Sequence, residues 1–582
     1  MTTPDSTPPK KLEAPPEAER APMVSWFDPA ELMRTGLQVI ISTMFGRSAD
    51  RRVMDAVVHP LVVPCHSEVG EELWIDYVAD TGDGWNSTYA VAHAASQPEL
   101  ELELEGGGEK FQTKRGRILV FGGDEVYPTP TRDEYKRRLV APYETALPNF
   151  AESGHKVFAV PGNHDWYDSL VAFSRLFCSE KGRWIGARKT GQTLSYFAVK
   201  LPHDWWLMGV DLQLDSDIDE PQLKYFRELM AREKIPEDAR IILCVAEPHW
   251  IFEALYATYD PTVSERNLDY LDRKVFGDRV AVYLAGDLHH YRRHATAGDW
   301  RQKITAGGGG AFLHPTHTDE EKLASVSDDF AFKTSFPTAA ESRAVAWKYL
   351  GFSRLNPTFG LATAVVYLLI AWAAKADVGR LGITSIWEVI VTVTRAALNS
   401  QIAVLWAALI LFGFYFFTDT HSKRYKRWGG LTHAVSHLLA SFFIGWFALW
   451  FTISVIGLQP ERIPQLVVTG IIIMVLGYLI GPMIMGIYLL VSLNVFGRHA
   501  GEFSALHHED YKSWLRLHVT REGTLEIYPI GIRTVAKRWR ENPSRSDASP
   551  SLLVPDDSAA IAPGLIEPPI TVRRVFGQVA GS

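Results

Sequence analysis

Six short apolar runs, each ending in a turn, constrain the first half of this chain more than any other feature. They are LWIDYVAD (73–80), RILVFGGD (117–124), KVFAVPGNHD (156–165), WWLMGVD (205–211), IILCVAEPHW (241–250) and VAVYLAGDLHHY (280–291). Near-continuous apolar runs of this length read as strands buried on both faces. Segments between them, such as DEPQLKYFRELMAREK (219–234), carry helix-compatible spacing, so the pattern predicts a layered α/β domain. In such domains the carboxyl ends of the strands open onto one crevice. Asp80, Asp124, Asn163 with His164, His249, and Asp287 with His289 close these runs and are expected to converge there. Asp and Asn close strands simply because they make turns. That accounts for any one of these residues and poorly for the whole series.

The rest of the chain is organised around this domain. Met1–Pro22 is rich in Pro, Glu, Thr and Lys without an apolar h-region, and reads as disordered rather than as a signal peptide. The apolar stretch Glu31–Phe45 is short, suited to capping the core or lying on a membrane surface. ELELELEGGGEK (99–110) reads as a solvated acidic loop. Apolar residues make up 47% of the chain but crowd into 358–497. Four uncharged stretches there, 358–374, 401–418, 431–458 and 464–496, predict about four membrane spans, the last kinked at Pro482 or split in two. Residues 383–398 carry Glu388 and Arg395 and read as interfacial, as do His433 and His437, four apart beside a basic loop. That loop holds Lys423, Arg424, Lys426 and Arg427, which the positive-inside rule puts in the cytoplasm. Four spans with that loop inside then leave both the N-terminal domain and the C-terminal segment cytoplasmic.

Beyond the spans, WLRLHVTREGTLEIYPIGI (514–532) alternates around an Arg-Glu-Gly turn and predicts a β-hairpin able to pack back on the soluble domain. The expected organisation is therefore a disordered 1–22, a catalytic-type domain at 23–340 and a transmembrane domain at 341–500. A hairpin segment at 501–540 and a disordered tail at 541–582 complete it. With 59 basic and 67 acidic residues the net charge is −8, which argues against a nucleic-acid partner. Cys65, Cys178 and Cys244 match no metal spacing or disulfide framework.

The series Asp80-Thr-Gly, Gly123-Asp124, Gly162-Asn163-His164-Asp165, His249 and Gly286-Asp287-Leu-His289 resembles the calcineurin-like metallophosphoesterase superfamily over residues 70–315. The resemblance implies a β-sandwich flanked by helices, with two metals at the strand ends. Most members have histidine two residues after the first aspartate, where Gly82 stands here, and this chain has Tyr127 three residues after Asp124. That pairing is similar to the purple acid phosphatase variant, in which a tyrosine phenolate replaces the imidazole. The resemblance then implies one metal on Asp80, Tyr127 and His289, a second on Asn163, His249 and Asp287, and Asp124 bridging both. Asp287 occupies a place where the family has histidine, with His290 as a neighbouring competitor. A carboxylate there is a harder ligand than imidazole and favours Mn, Fe or Mg over Zn; two divalent or trivalent ions, Fe, Mn or Zn, are expected, their identity open.

By the same resemblance His164 orients phosphate or protonates the leaving alkoxide, and Asp165 holds its tautomer or serves the turn. Gly307–Gly310 could let backbone approach a phosphate but lacks the Lys-Ser/Thr of a P-loop. His314 and His317 are candidates for the rim of the site, and His290, Arg292, Arg293 and His294 for a substrate anion or a solvated basic turn. The reading is a membrane-anchored, metal-dependent phosphoesterase cleaving phosphomonoesters or phosphodiesters, with lipid-linked phosphates among the candidate substrates. The alternative is a membrane sensor or transport component whose metallophosphoesterase-like domain binds ligand without turnover.

Overall fold

The computed structural model describes residues 13–573 apart from 46–65, 68–69, 105–106, 149–153, 213–216, 256–265, 328, 375–386, 388–390, 392–393, 396–397, 419–421, 499 and 557–561. The chain divides into two units. One combines the residues up to Val24 with Thr35–Ala339 and His508 onward, and the other combines Ser25–Arg34 with Ala340–His507.

The first unit contains two nine-stranded sheets. Its principal strands are β1 (Leu73–Val78), β2 (Ile118–Phe121), β3 (His155–Ala159), β4 (Phe197–Lys200), β5 (Trp205–Gly209) and β6 (Arg240–Cys244). They continue with β7 (Val280–Ala285), β8 (Tyr291–Ala295), β9 (Gln302–Ala306), β10 (Phe330–Phe336), β11 (Lys512–Val519) and β12 (Leu525–Ile532). One sheet runs β4-β5-β6-β7-β9-β8-β10 and the other β12-β11-β1-β2-β3, each extended by short edge strands. Their inner faces share one apolar core, with Ile75, Val120 and Leu515 from one sheet meeting Val199, Ile242 and Leu284 from the other. Helix α1 (Trp85–Ala95) covers the outer face of the second sheet and α2 (Glu220–Arg232) that of the first. Sheet-on-sheet packing with helices outside is the sandwich the strand pattern implies.

The hairpin β11–β12 is part of this unit. β11 pairs antiparallel with β1, placing Arg516 opposite Asp76. The Arg516 Nε donates to Asp76 Oδ1 at 2.7 Å in a fully buried pair. Two segments behave differently from their sequence reading. Within 99–110, Glu99–Glu103 pairs with Lys110–Lys114 as a hairpin rather than a solvated loop. The alternation of Glu and Leu explains it, because period-2 spacing puts Leu102 into the core while the glutamates face water. Between 541 and 582, where the sequence suggests disorder, Leu553–Pro555, Gly564–Leu565 and Ile570–Val572 form strands. Leu553, Leu565, Ile570 and Val572 are buried, which anchors them. Of residues 13–24, Ala21, Met23 and Val24 are buried, and the Val24 N–H donates to Asp83 Oδ1 at 2.7 Å.

The second unit holds four apolar helices: α4 (Pro357–Ala374), α5 (Gln401–Phe417), α6 (Leu431–Trp450) and α7 (Ile463–Asn494). Tyr367, Ile410, Ile444 and Ile473 bring all four into one core. Of the four expected spans, the described residues show two outright and a third if a bent pair counts as one. Among the described residues, two helices, Lys426–Val455 and Ile463–Asn494, are long and apolar enough to cross a membrane, at 30 and 32 residues. Ala339–Leu355 and Pro357–Trp372 pass only as a pair bent by 60°, and Gln401–Tyr415 is shorter. A span needs about 20 apolar residues, which α4 and α5 do not reach alone. Pro482 neither splits nor ends α7. It leaves the Tyr478 carbonyl without its helical donor, while Thr363 Oγ1 donates to the neighbouring Gly477 carbonyl at 3.1 Å. His433 and His437 are 2% and 0% exposed inside the bundle, not interfacial. Most of 383–398 lies outside the described residues.

Candidate metal centre

Asp80, Asp124 and Asp287 each follow a strand of the sandwich, and all three adopt left-handed backbone, with φ of 55°, 50° and 65°. Aspartate tolerates that region better than most residues, and it turns each carboxylate back across the end of its strand. Tyr127 ties the acids together. Its hydroxyl lies 3.0 Å from Asp80 Oδ1, 3.1 Å from Asp124 Oδ2 and 2.9 Å from His289 Nε2. The His289 Nδ1–H donates to the Phe312 carbonyl at 2.7 Å, which fixes the ring and leaves Nε2 facing the cluster. The Asp287 amide adds a bond to Asp80 Oδ1 at 3.1 Å.

Gly82 explains why a tyrosine serves here. Its φ is +44°, and a Cβ there would lie 2.1 Å from the Glu125 carbonyl oxygen and 2.7 Å from the Val126 Cα. The 125–127 loop occupies the room an imidazole at position 82 would need, and the Tyr127 amide donates to the Gly82 carbonyl at 3.1 Å.

His164 sits against this cluster. Its amide donates to Asp124 Oδ1 at 2.9 Å, and its ring centroid lies 4.5 Å from that of Tyr127. The Nδ1 pairs with the Pro128 carbonyl at 2.9 Å, so the backbone rather than Asp165 sets the tautomer. Asp165 instead accepts from the Gly162 amide at 2.9 Å, the Glu125 amide at 3.3 Å and the Tyr135 hydroxyl. It clamps the loops carrying Asp124 and His164 and does not reach the His164 ring nitrogens. No sequence signal marks Pro128 or Tyr135 for these parts, since one acts through its backbone and the other from a distant helix.

The other expected ligands are less tightly held. Asn163 is exposed, and its Nδ2 donates to the Tyr167 hydroxyl at 3.2 Å. His249 begins helix α3 (His249–Leu255), and its Nδ1 has no hydrogen-bond partner among the described residues. Neither joins the Tyr127 network. His314 stacks on His289 at 4.0 Å and belongs to the wall of the site. The glycine run is floor rather than phosphate cradle, with the Gly309 amide donating to the Ala79 carbonyl and Ala311 to the Asp80 carbonyl, both at 2.9 Å. The basic row after His289 is strand β8, not a solvated turn. His290, Arg292, Arg293 and His294 are buried, and Arg293 Nη2 pairs with Glu567 at 2.6 Å.

Electrostatics mark the cluster as a cation site. Burial, then the neighbouring carboxylates, pushes Asp80 and Asp124 well above the usual carboxylate range. Burial and the nearby Glu247 raise Asp287 to about 7. Burial lowers His164 to about 4, His249 to about 3, and His289 well below its ordinary value. Carboxylates crowded like this hold a proton, or a cation in its place. The buried Asp80 Oδ2 has no hydrogen-bond donor among the described residues, as a ligand oxygen would. Among the described residues no three His, Cys, Asp or Glu side chains alone form a metal-holding group. The Tyr127 phenol is the group that Asp80, Asp124 and His289 share, at 3.0, 3.1 and 2.9 Å. Carboxylate, phenolate and imidazole donors together fit hard or borderline ions such as Fe or Mn.

Residues 73–299 match the family model of the calcineurin-like phosphoesterases. No curated protein matches the chain. Solved structures similar in part include GAP50, the anchor in the inner membrane complex of Plasmodium, at 13% identity and a TM-score of 0.29 over 45% of this chain and 79% of that one. Purple acid phosphatase PPD1 from yellow lupin (Lupinus luteus) seeds matches at 12% and 0.25, over 42% of this chain and 45% of its own. PhoD matches at 9% and 0.29, over 47% and 63%. Residues 73–299 thus carry a calcineurin-like metallophosphoesterase domain, here joined to a unit with two helices long and apolar enough to cross a membrane.

Proposed function

We propose that this chain is a membrane-anchored phosphoesterase that hydrolyses phosphomonoesters or phosphodiesters at a two-metal centre. The observation that carries the reading is the Tyr127 hydroxyl, placed within hydrogen-bond distance of Asp80, Asp124 and His289 at once. One ion would be held by Asp80, Tyr127 and His289, the other by Asn163, His249 and Asp287, with Asp124 shared. Bound metals supply a water of lowered pKa and a clamp for the phosphate oxygens. The protein's part is orientation. His164, oriented through the Pro128 carbonyl, orients a phosphate oxygen or protonates the departing alkoxide. Asp165, by clamping two loops, is a positioning residue.

The apolar helices supply the anchor. The support for a cytoplasmic centre is the basic loop before α6, read by the positive-inside rule. An anchored site of this kind suits lipid-linked phosphates as well as soluble esters.

The test is hydrolysis of an aryl phosphomonoester and an aryl phosphodiester by the detergent-solubilised chain with Mn or Fe, beside Asp124→Asn. Metal-dependent turnover that Asp124→Asn abolishes supports the enzyme. A metal-loaded chain inert toward both esters favours the ligand-binding sensor, the reading that the loosely held Asn163 and His249 would suit.

A further inference from the structure

The helical unit contains a polar cluster that the phosphoesterase reading leaves unused. His433 and His437 lie one turn apart on α6, both fully buried, with their Nε2 atoms 3.2 Å from each other. Residues from the other three helices build a cage around them. Tyr367 on α4 puts its hydroxyl 2.7 Å from His437 Nδ1. Phe414 on α5 stacks on the His437 ring at 3.9 Å and 6°. Tyr488 on α7 stacks on His433 at 3.8 Å and 8°, and its hydroxyl is held by Thr418 at 3.0 Å. Both imidazoles are thus fixed in plane and in tilt.

We propose that His433 and His437 form a second, separate binding site, for a divalent first-row transition ion. Histidines four apart on one helix face converge on a single ion. Bonds of about 2.0–2.1 Å at angles between roughly 90° and 110° put two imidazole nitrogens about 2.9–3.4 Å apart, which brackets the observed separation. A ligating histidine needs its outer nitrogen engaged so that the inner one presents a lone pair. Tyr367 is placed to do this for His437, its hydroxyl accepting the Nδ1–H in the tautomer that a bound ion selects. Without an ion one Nε2–H donates to the other Nε2 across 3.2 Å; a cation replaces that proton when both rings present lone pairs, and imidazole selects zinc, copper or nickel over magnesium or calcium. Polar groups this deep in apolar helices are costly to keep without a role.

The test titrates Zn²⁺ alone into the metal-free full chain in nanodiscs and counts bound equivalents. His433→Ala and His437→Ala are expected to bind one equivalent fewer than the parent while ester hydrolysis is unchanged. Tyr367→Phe keeps that equivalent but weakens it about 10–100-fold. Equal equivalents in parent and histidine variants of unchanged helical content mean that the pair shares only a proton, and overturn the proposal. If the histidine variants do not fold, Tyr367→Phe decides, and parental affinity in it overturns the proposal as well. Hydrolysis is read separately from stoichiometry, so a failure of the enzyme reading leaves this result interpretable.

Discussion

The two halves of the metal centre are built by different means. Asp80, Tyr127 and His289 are joined by direct hydrogen bonds, and the backbone behind them holds His289 through Phe312. Asn163, His249 and Asp287 share no such network. Asn163 is exposed, His249 is half-buried with Nδ1 unpaired among the described residues, and Asp287 stands near another acid, Glu247. On the proposed assignment the first ion would meet side chains that the protein already orders. The second would meet side chains without such a network, so its occupancy is expected to follow metal supply and pH more closely. Asp124 spans the difference, bonded to Tyr127 on one side and to the His164 amide on the other.

Tyr127→Phe is the sharpest way to break the contrast. It removes the hydroxyl that three groups share and adds no bulk, leaving buried Asp80, Asp124 and His289 each short of a partner. Activity is expected to fall at least about 100-fold, and one metal equivalent should be lost. Stability should drop by about 1–3 kcal/mol for each group left unpaired without metal. A variant that keeps two equivalents and near-parental turnover would show that Tyr127 is a packing residue. Asp287→His sharpens the contrast from the other side, since it restores the family's usual donor to the loose half. Turnover should survive within about tenfold while preference moves from Mn toward Zn, because imidazole is the softer ligand. An unchanged metal preference in steady-state assays would take Asp287 out of the ligand set. Asp165→Asn should act more weakly, slowing turnover by about tenfold with both equivalents retained, since positioning and not ligation is lost. Loss of an equivalent in metal analysis would contradict the clamp role.

The tight half was legible in the sequence because its residues end strands, and strand ends in such a sheet meet. Gly82 and Tyr127 could be read as a pair, and the structure supplies the reason in the Glu125 carbonyl that fills the place of a side chain at 82. The tautomer of His164 was not legible, because the group that sets it is a backbone carbonyl, which carries no residue signature. Of the two readings open for Asp165, the turn role fits and the tautomer role does not, its partners being two amides and the distant Tyr135. In the fold, the strands and the 514–532 hairpin followed from period and turn chemistry. The strands beyond 541 did not, because single leucines and isoleucines spaced among prolines and serines have no period. His433 and His437 were read as interfacial from their closeness to a basic loop. Which face of a helix turns inward depends on the neighbouring helices, and one helix's sequence does not state it.

The smallest effect tests the support behind the tight half. Asp83 is fully buried, and its carboxylate accepts from the Val24 amide at 2.7 Å and the Phe312 amide at 3.2 Å. Phe312 in turn holds His289, so Asp83 reaches the centre through one residue. Burial raises Asp83 from 3.8 to about 6, against the pull of its hydrogen bonds and of Arg138 and Lys512. A carboxyl raised in the folded state contributes stability that is fully present below its unfolded value and is lost as pH rises through the folded one. About two pKa units correspond to about 3 kcal/mol. Parent and Asp83→Asn should therefore diverge between about pH 4 and 6.5, with the parent losing melting temperature relative to the variant as pH rises. The cost of the amide itself is independent of pH, so it offsets the two curves without changing their slopes. Parallel melting curves across that window would mean that Asp83 ionises normally, and that the carboxylate behind Phe312 supports the tight half as a plain charged acceptor rather than as a strained buried acid.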